Sequence, residues 1–335
     1  MKKILFISLV VLLAVATGVA IAGKGFPKRN ITAVVVWGAG GGTDTCNRII
    51  HAEMSKFLGV NINVINKTGG VAGSVGMSHA YGKKHDGYTL CGLSESNVTA
   101  GVQGGWDKKF DVWDTFIVGG SPDVISVTPD TPYKTLSDLI EAAKKNPGSI
   151  KAAASGAGSI HHLNLLAVEK GAGADFNFIP YKGSAPSQNA AMTGEVSVVV
   201  TSLAEQQQLL RGGKLRALGM LIPESFDVEG LGAIPSSFDA YPGLSEYLPI
   251  SQAIGFAVPA DAPAEAKGVL VDAFNKAMAT DKVKTWAKEN YYLLSGKTGA
   301  ESKAVFDALE SNFAWTLWEL GAATVEPSKL GIPKP

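Results

Sequence analysis

Apolar residues along this chain recur in two alternating rhythms. Short apolar runs, such as residues 32–36, are each followed by a longer stretch in which every third or fourth position is apolar. The first pair predicts a strand over 32–36 and a helix over 44–58. In that helix Ile50, Met54 and Phe57 share one face, Asp44 or Thr43 can cap the start, and Gly59 stops the last turn. The theme repeats with a strand at 61–65, a helix at 73–81 and a nearly continuous apolar strand at 88–93, of the kind buried on both faces. A second series runs from about Val124 to Gln252. Helices over 136–145, 159–170 and 184–193 alternate there with strands over 150–154, 176–179 and 196–200. A strand at 255–258 follows, then long helices from Pro263 and from Glu301. The last carries Val305, Leu309, Phe313, Leu317 and Leu320 at helical spacing, a stripe that reads as a terminal helix docked on a core.

Strand and helix alternating in this way predict an α/β protein. Two series of units, with no charged or low-complexity linker between them, predict two doubly wound α/β domains joined by short crossing strands. A ligand cleft between them is the natural consequence. The expected division is residues 23–123 plus 253–335 for the first domain and 124–252 for the second.

The N-terminus has a different pattern. Lys2 and Lys3 precede an apolar run from Ile4 to Val19 and the small-residue triplet Ala20-Ile21-Ala22, the layout of a signal peptide cleaved after Ala22. Gly23 follows where a lipid-anchored protein would need cysteine, so the expectation is a free periplasmic protein. About 313 residues remain, with 28 basic and 30 acidic side chains, and no basic field that would attract nucleic acid. The two cysteines, Cys46 and Cys91, rule out a disulfide-dense scaffold. An oxidising compartment permits one bridge, but both lie in apolar patterns that suit buried thiols.

Candidate chemistry sits in three loops. Trp37-Gly38-Ala39-Gly40-Gly41-Gly42-Thr43-Asp44 joins the first strand to the first helix, where bare amides and the positive end of a helix can meet an anion. It lacks the Gly-Lys-Ser/Thr of a Walker loop, and Thr43 stands where a dinucleotide fingerprint has its third glycine. Ser155-Gly156-Ala157-Gly158-Ser159 and Tyr181-Lys182-Gly183-Ser184-Ala185-Pro186 have the same strand-to-helix design. Together the loops describe a polar clamp of amides and hydroxyls.

Catalytic and metal signals are sparse. His161 and His162 lie just inside a helix start on an apolar helix, where histidines pack or cap more often than they react. His51, His79 and His85 show no metal spacing, and no Gly-x-Ser-x-Gly elbow is present. No catalytic residue, metal or cofactor is therefore expected. Asp44 reads as a helix cap within reach of a ligand ammonium, and Lys182 as a solvated lysine.

With these loops in view, the mature chain resembles the Bug-type receptors of tripartite tricarboxylate transporters. The resemblance spans nearly all of residues 28–325. Its motifs are Trp37, Gly41 and Asp44 in the opening loop, Asn66-Lys67-x-Gly69, Asp86-Gly87-Tyr88-Thr89-Leu90, and Ser155-Gly156-x-Gly158-Ser159 with His162. Tyr181 to Pro186, Gly213-Lys214-Leu215-Arg216-Ala217-Leu218 and Gly255-Phe256-x-x-Pro259 complete the set. It implies a type II periplasmic-binding-protein fold that closes like a flytrap. It also implies a carboxylate gripped by Trp37, Gly40, Gly41, Gly42 and Thr43 on one side and Tyr181, Gly183, Ser184 and Ala185 on the other. Ser155, Gly158, Ser159 and His162 join the second side. Ser94, Asn97 and Thr201 or Ser202, at strand ends facing the cleft, are the candidates for the far end of the pocket.

Two departures from the family pattern are visible: Val36 replaces the proline before the aromatic, and the glycine stretch 69–76 is one residue longer. The expected function is capture of a small carboxylate (a di- or tricarboxylate, an aromatic acid or an acidic amino acid) by a monomer that delivers it to the membrane permease subunits of such a transporter. A ligand sensor feeding a signalling partner is the alternative. A periplasmic hydrolase with His162 as base is a weaker one, because no nucleophile or metal site accompanies that histidine.

Overall fold

The computed structural model describes residues 25–248 and 252–335. The leader and its cleavage site lie outside them. In chain order the strands are β1 (Ile31–Val35), β2 (Ile62–Asn66), β3 (Thr89–Leu93), β4 (Trp113–Gly120), β5 (Asp123–Val127), β6 (Lys151–Ala153), β7 (Asn177–Phe178), β8 (Val198–Ser202), β9 (Arg216–Met220), β10 (Phe226–Val228), β11 (Gly232–Ile234), β12 (Ile254–Pro259) and β13 (Leu293–Lys297). The helices are α1 (Gly42–Leu58), α2 (Ser74–Tyr81), α3 (Leu136–Lys145), α4 (Ile160–Ala172), α5 (Ser184–Met192), α6 (Leu203–Arg211), α7 (Ser237–Ala240), α8 (Ala264–Met278), α9 (Asp281–Glu289) and α10 (Gly299–Glu319).

Two mixed sheets organise these elements. The first has the order β13-β4-β12-β3-β1-β2, and the second β7-β6-β8-β5-β9. In the first, β1 runs parallel to β2 and β3, whereas β12 is antiparallel to both β3 and β4. In the second, β6, β7 and β8 are parallel and β5 is antiparallel to its neighbours β8 and β9. Each sheet with its helices forms one lobe, and the two-domain α/β fold expected from the alternation is the fold observed.

The continuous apolar runs have a direct cause. Successive strand residues point to opposite faces, and helices cover both faces. Ile31 and Ala33 of β1 pack with Ile50 and Met54 of α1 and Phe274 of α8. Val34 of the same strand packs instead with Met77 of α2 and Phe313 and Leu317 of α10. In the second lobe Val198 and Val200 face α3 and α4, while Val199 faces α5 and α6.

The lobes are linked at Gly120–Asp123, between β4 and β5, and by the return segment that leads into β12. These crossings lie side by side, and the Ser121 amide donates to Gln252 Oε1 at 2.9 Å. Cys46 and Cys91 are free, buried thiols, and burial pushes both thiols well up. Among the described residues no helix is long and apolar enough to cross a membrane.

Helix α10 carries a buried acid. Glu310 is 3% exposed and accepts the Phe110 amide at 2.9 Å. Burial pushes its carboxyl up to about 7. Its folded value lies above its unfolded one, so the native state holds the extra proton and stability falls as pH rises from about 4.5 towards 7. Glu310→Gln keeps the acceptor and removes the charge. It is expected to stabilise the protein by about 2 kcal/mol at pH 8 and to flatten that acid-side slope. Urea titrations from pH 5 to 8 check it; a variant with the wild-type slope would assign the slope elsewhere.

Candidate ligand-binding cleft

The loop after β1 turns into α1 with Gly41 as the extended capping residue and Gly42 as the first helical one. Asp44 is not the cap that the sequence suggested, because the helix starts two residues earlier. From the first turn it ties the loop down instead: Oδ2 accepts the Gly40 amide at 2.9 Å and Arg48 Nε at 2.9 Å, and Oδ1 accepts Asn66 Nδ2 at 2.8 Å. Burial would raise its pKa, but these donors outweigh burial and hold the carboxyl below its usual range.

The loops of the two lobes meet face to face. Thr99 Oγ1 donates to the Gly158 carbonyl at 2.7 Å, the Ile160 amide to Ser96 Oγ at 2.8 Å, and the Ala72 amide to the Ala157 carbonyl at 3.3 Å. Ile160 and Leu163 of α4 join the apolar core of the first lobe. The lobes therefore stand closed. Between them lies a polar cavity of about 20 Å³, room for roughly one water molecule.

Eight of the residues singled out in the sequence line that cavity: Trp37, Gly41, Gly42, Thr43, Ser94, Ser155, Ser159 and Ser184. Ser155 adopts φ +57, a left-handed conformation rare for a residue with a side chain. Such strain clusters at ligand clamps.

The other nine lie around the cavity without lining it. Gly40 and Ala185 touch across the lobes, with Ala185 Cβ 3.7 Å from the place a Gly40 side chain would start. Gly183 abuts the Gly38 backbone, and the Tyr181 amide holds the Ser155 carbonyl at 2.9 Å. Gly158 accepts the Thr99 bond. The His162 ring stacks on Phe178 at 4.0 Å and its Nδ1 accepts the Gly158 amide at 3.1 Å, so it packs beside the cavity. Asn97 spends its side chain on the Ser94 amide and the Ala72 carbonyl, at 2.8 and 2.6 Å. Thr201 Oγ1 accepts from Gln188 at 2.9 Å, and Ser202 caps α6.

The cavity also holds Glu95, Ser96, Glu205, Gln252 and Ile254, which the sequence reading passed over, and His161, which it took for a packing or capping side chain. Glu205 Oε1 accepts the Gly42 amide of the opposite lobe at 2.6 Å, and its Oε2 accepts the Ser202 amide and hydroxyl at 3.1 and 2.9 Å. A Cβ on Gly42 would stand 2.9 Å from both Glu205 Oε1 and the Tyr292 hydroxyl, so the approach depends on glycine there. His161 Nδ1 lies 2.7 Å from Asp123 Oδ2 and its Nε2 lies 3.4 Å from Glu205 Oε2. Burial alone would lower the imidazole pKa, but Asp123, Glu205 and Glu95 together raise it to about 9. Glu95 accepts the Ala253 amide at 2.7 Å and the Ser96 hydroxyl at 2.8 Å, while burial pushes its carboxyl up. The Ser202-x-x-Glu205 capping box was a legible signal for one of these residues. Glu95 had none, and nothing in the sequence placed His161 beside these carboxylates. Among the described residues no cluster of His, Cys, Asp and Glu is arranged to hold a metal ion.

Comparison with known proteins agrees with this architecture. A UPF0065 protein of Pseudomonas sp. (strain P51) is 28% identical over 233 residues, 69% of this chain and 65% of the relative. The first curated relatives are thus matched over about 59–65% of their own length. The solved structure of the periplasmic binding protein BugD superposes with a TM-score of 0.79 at 24% identity, covering 89% of this chain and 99% of BugD. MatC of Rhodopseudomonas palustris, solved with bound malate, gives 0.77 at 23% identity, covering 87% of this chain and all of MatC. Both likenesses bear on the fold. Residues 46–293 match the model of the tripartite tricarboxylate transporter family receptor, and the chain, two α/β lobes closed on a polar cleft, belongs to that family.

Proposed function

We propose that this protein is a periplasmic receptor that captures a small carboxylate between its lobes and delivers it to the permease of a tripartite tricarboxylate transporter. The observation that carries the reading is the cleft itself. Thr43, Ser155 and Ser184, each bearing a hydroxyl, line it from loops of both lobes, next to the N-terminus of α1. Such donors suit a carboxylate, and helix N-termini favour negative charge. The malate bound to MatC, a protein of the same fold, is in keeping with it.

Secretion by the leader, with cleavage after Ala22, belongs to the same reading, as does a hinge between 23–123 plus 253–335 and 124–252. A cavity of about 20 Å³ is too small for a carboxylic acid of several carbons, so the lobes part to admit it. They close again because the bridged form makes contacts the open form lacks. A permease then needs to recognise only the closed outline.

Thermal unfolding against mono-, di- and tricarboxylates, amino acids, sugars and nucleotides tests the reading. An acid at a hundred times its dissociation constant should add about 2.7 kcal/mol, and Ser184→Ala should reduce that gain. A midpoint moved by a sugar or a nucleotide and by no acid would sink the proposal.

A further inference from the structure

We propose that Tyr291, held by Arg211 and the Glu229 amide, is a latch that draws the lobes together from outside the cleft and sets how much of the protein stands closed before a ligand arrives. This rests on the opening and closing of the lobes already proposed, and not on the identity of the ligand.

The loop between α9 and β13 divides two consecutive tyrosines between the lobes. Tyr292 is 7% exposed, belongs to the apolar core of the first lobe and stacks on Trp286 of α9 at 4.7 Å. Tyr291 turns the other way and packs against the core of the second lobe, edge-on to Phe226 of β10 with ring centroids 5.8 Å apart. Its hydroxyl accepts Arg211 Nη2 at 2.8 Å and the Glu229 amide at 3.0 Å, both from the second lobe. Arg211 is itself held in place, with Nε donating to the Glu229 carbonyl at 2.9 Å and Nη1 to Gln207 Oε1 at 2.7 Å. Gln207 Nε2 in turn crosses the boundary to Asn290 Oδ1 at 3.0 Å. None of these residues lines the cleft cavity.

The backbone adds a separate observation. Tyr291 adopts φ +58, a left-handed conformation rare for a residue with a side chain. Such a conformation persists where the surrounding contacts over-determine it, and here the side-chain contacts come from the opposite lobe. Parting the lobes would strip the hydroxyl of both donors and leave the strained backbone without that support. Contacts made only in the closed form shift the balance towards closure whether or not the cleft is filled. A ligand that binds only closed lobes then gains apparent affinity in proportion to the closed fraction.

A disulfide across the cleft reads closure without any ligand. Gly41 has ordinary extended backbone, φ -78, and a Cβ placed on it would stand 3.9 Å from Ser184 Cβ of the opposite lobe, a separation that a disulfide spans. In a chain carrying Gly41→Cys and Ser184→Cys, the rate at which oxidised glutathione closes the bridge follows the closed population. Tyr291→Phe keeps the ring and removes the acceptor, and should slow bridging on the order of tenfold. Arg211→Ala should slow it similarly. The two changes together should cost less than the product of each alone, because they remove the same contact. Ellman's reagent separates lost closure from lost fold: only the engineered thiols react in a folded chain, and the buried Cys46 and Cys91 join them on unfolding. Tyr291→Phe bridging within about twofold of the parent pair, or faster, would overturn the latch. So would a parent pair that does not bridge. The assay holds no ligand, so either result leaves the carboxylate reading to its own thermal test.

Discussion

His161→Ala is expected to destabilise the protein by about 3–5 kcal/mol at neutral pH, the cost of breaking a buried ion pair from one side. His161 is 5% exposed, and it is the cation facing Asp123, Glu205 and Glu95. Asn164 Nδ2 also bonds Asp123 Oδ2, at 2.6 Å, but it brings no charge. Without the imidazolium these carboxylates repel one another in a medium that screens poorly, and they either take up protons or force the lobes apart. Alanine adds a cavity to that cost.

The wild-type pH profile reports the same ion. A folded-state pKa of about 9, above the ordinary value of 6.5, means that the native state holds the proton more tightly than the unfolded chain. The stabilisation is fully present below about pH 6.5 and is lost as pH rises through about 9. Urea denaturation from pH 6 to 10 should therefore show wild-type stability falling by a few kcal/mol on the alkaline side. The variant should start low and lack this His161-linked decline. A variant within 1 kcal/mol of wild type at pH 7 would mean that the carboxylates are neutralised by something other than His161.

Gly183→Ala is expected to weaken ligand binding by on the order of 100-fold, through a backbone contact and without loss of a single ligand-facing atom. Gly183 has φ +136, and a Cβ there would stand 2.8 Å from the Gly38 amide nitrogen of the other lobe. Gly38 has the reciprocal constraint, its own Cβ position lying 2.9 Å from the Lys182 carbonyl oxygen. Backbone cannot yield as the tip of a flexible side chain can, so the methyl holds the lobes apart in the one state that grips the ligand.

Gly213→Ala is the control. It sits at φ +63 in an exposed loop with nothing within 4 Å of its Cβ position, so it pays backbone strain without obstructing closure. Titration calorimetry measures the affinity, and small-angle scattering with saturating ligand reads the opening. Gly183→Ala binding within threefold of wild type would show that closure tolerates a wider gap.

How far the sequence reached differs by element. Helices 136–145 and 184–193 were predictable almost to the residue because one face is apolar or the start carries a turn signal. β4, β9 and β13 were not assigned from the pattern. β13 alternates exposed and half-exposed residues, with Leu293 at 74% exposure, so it has no apolar run to read. β4 begins Trp113-Asp114-Thr115, and polar residues interrupt the signal there.

Local periodicity alone determined the βα alternation, the two-lobed class and the three glycine- and hydroxyl-rich turns, because each is a property of residues close together along the chain. Only the tertiary structure decided that β12 inserts antiparallel between β3 and β4, bringing Gly255 opposite Leu93. It alone decided, too, that Glu205 reaches the Gly42 amide 163 residues away, and that Glu95, Asp123 and Glu205 share one histidine. Charged residues follow no period and are ordinarily solvated, so nothing in the order of residues marks the few that folding buries together.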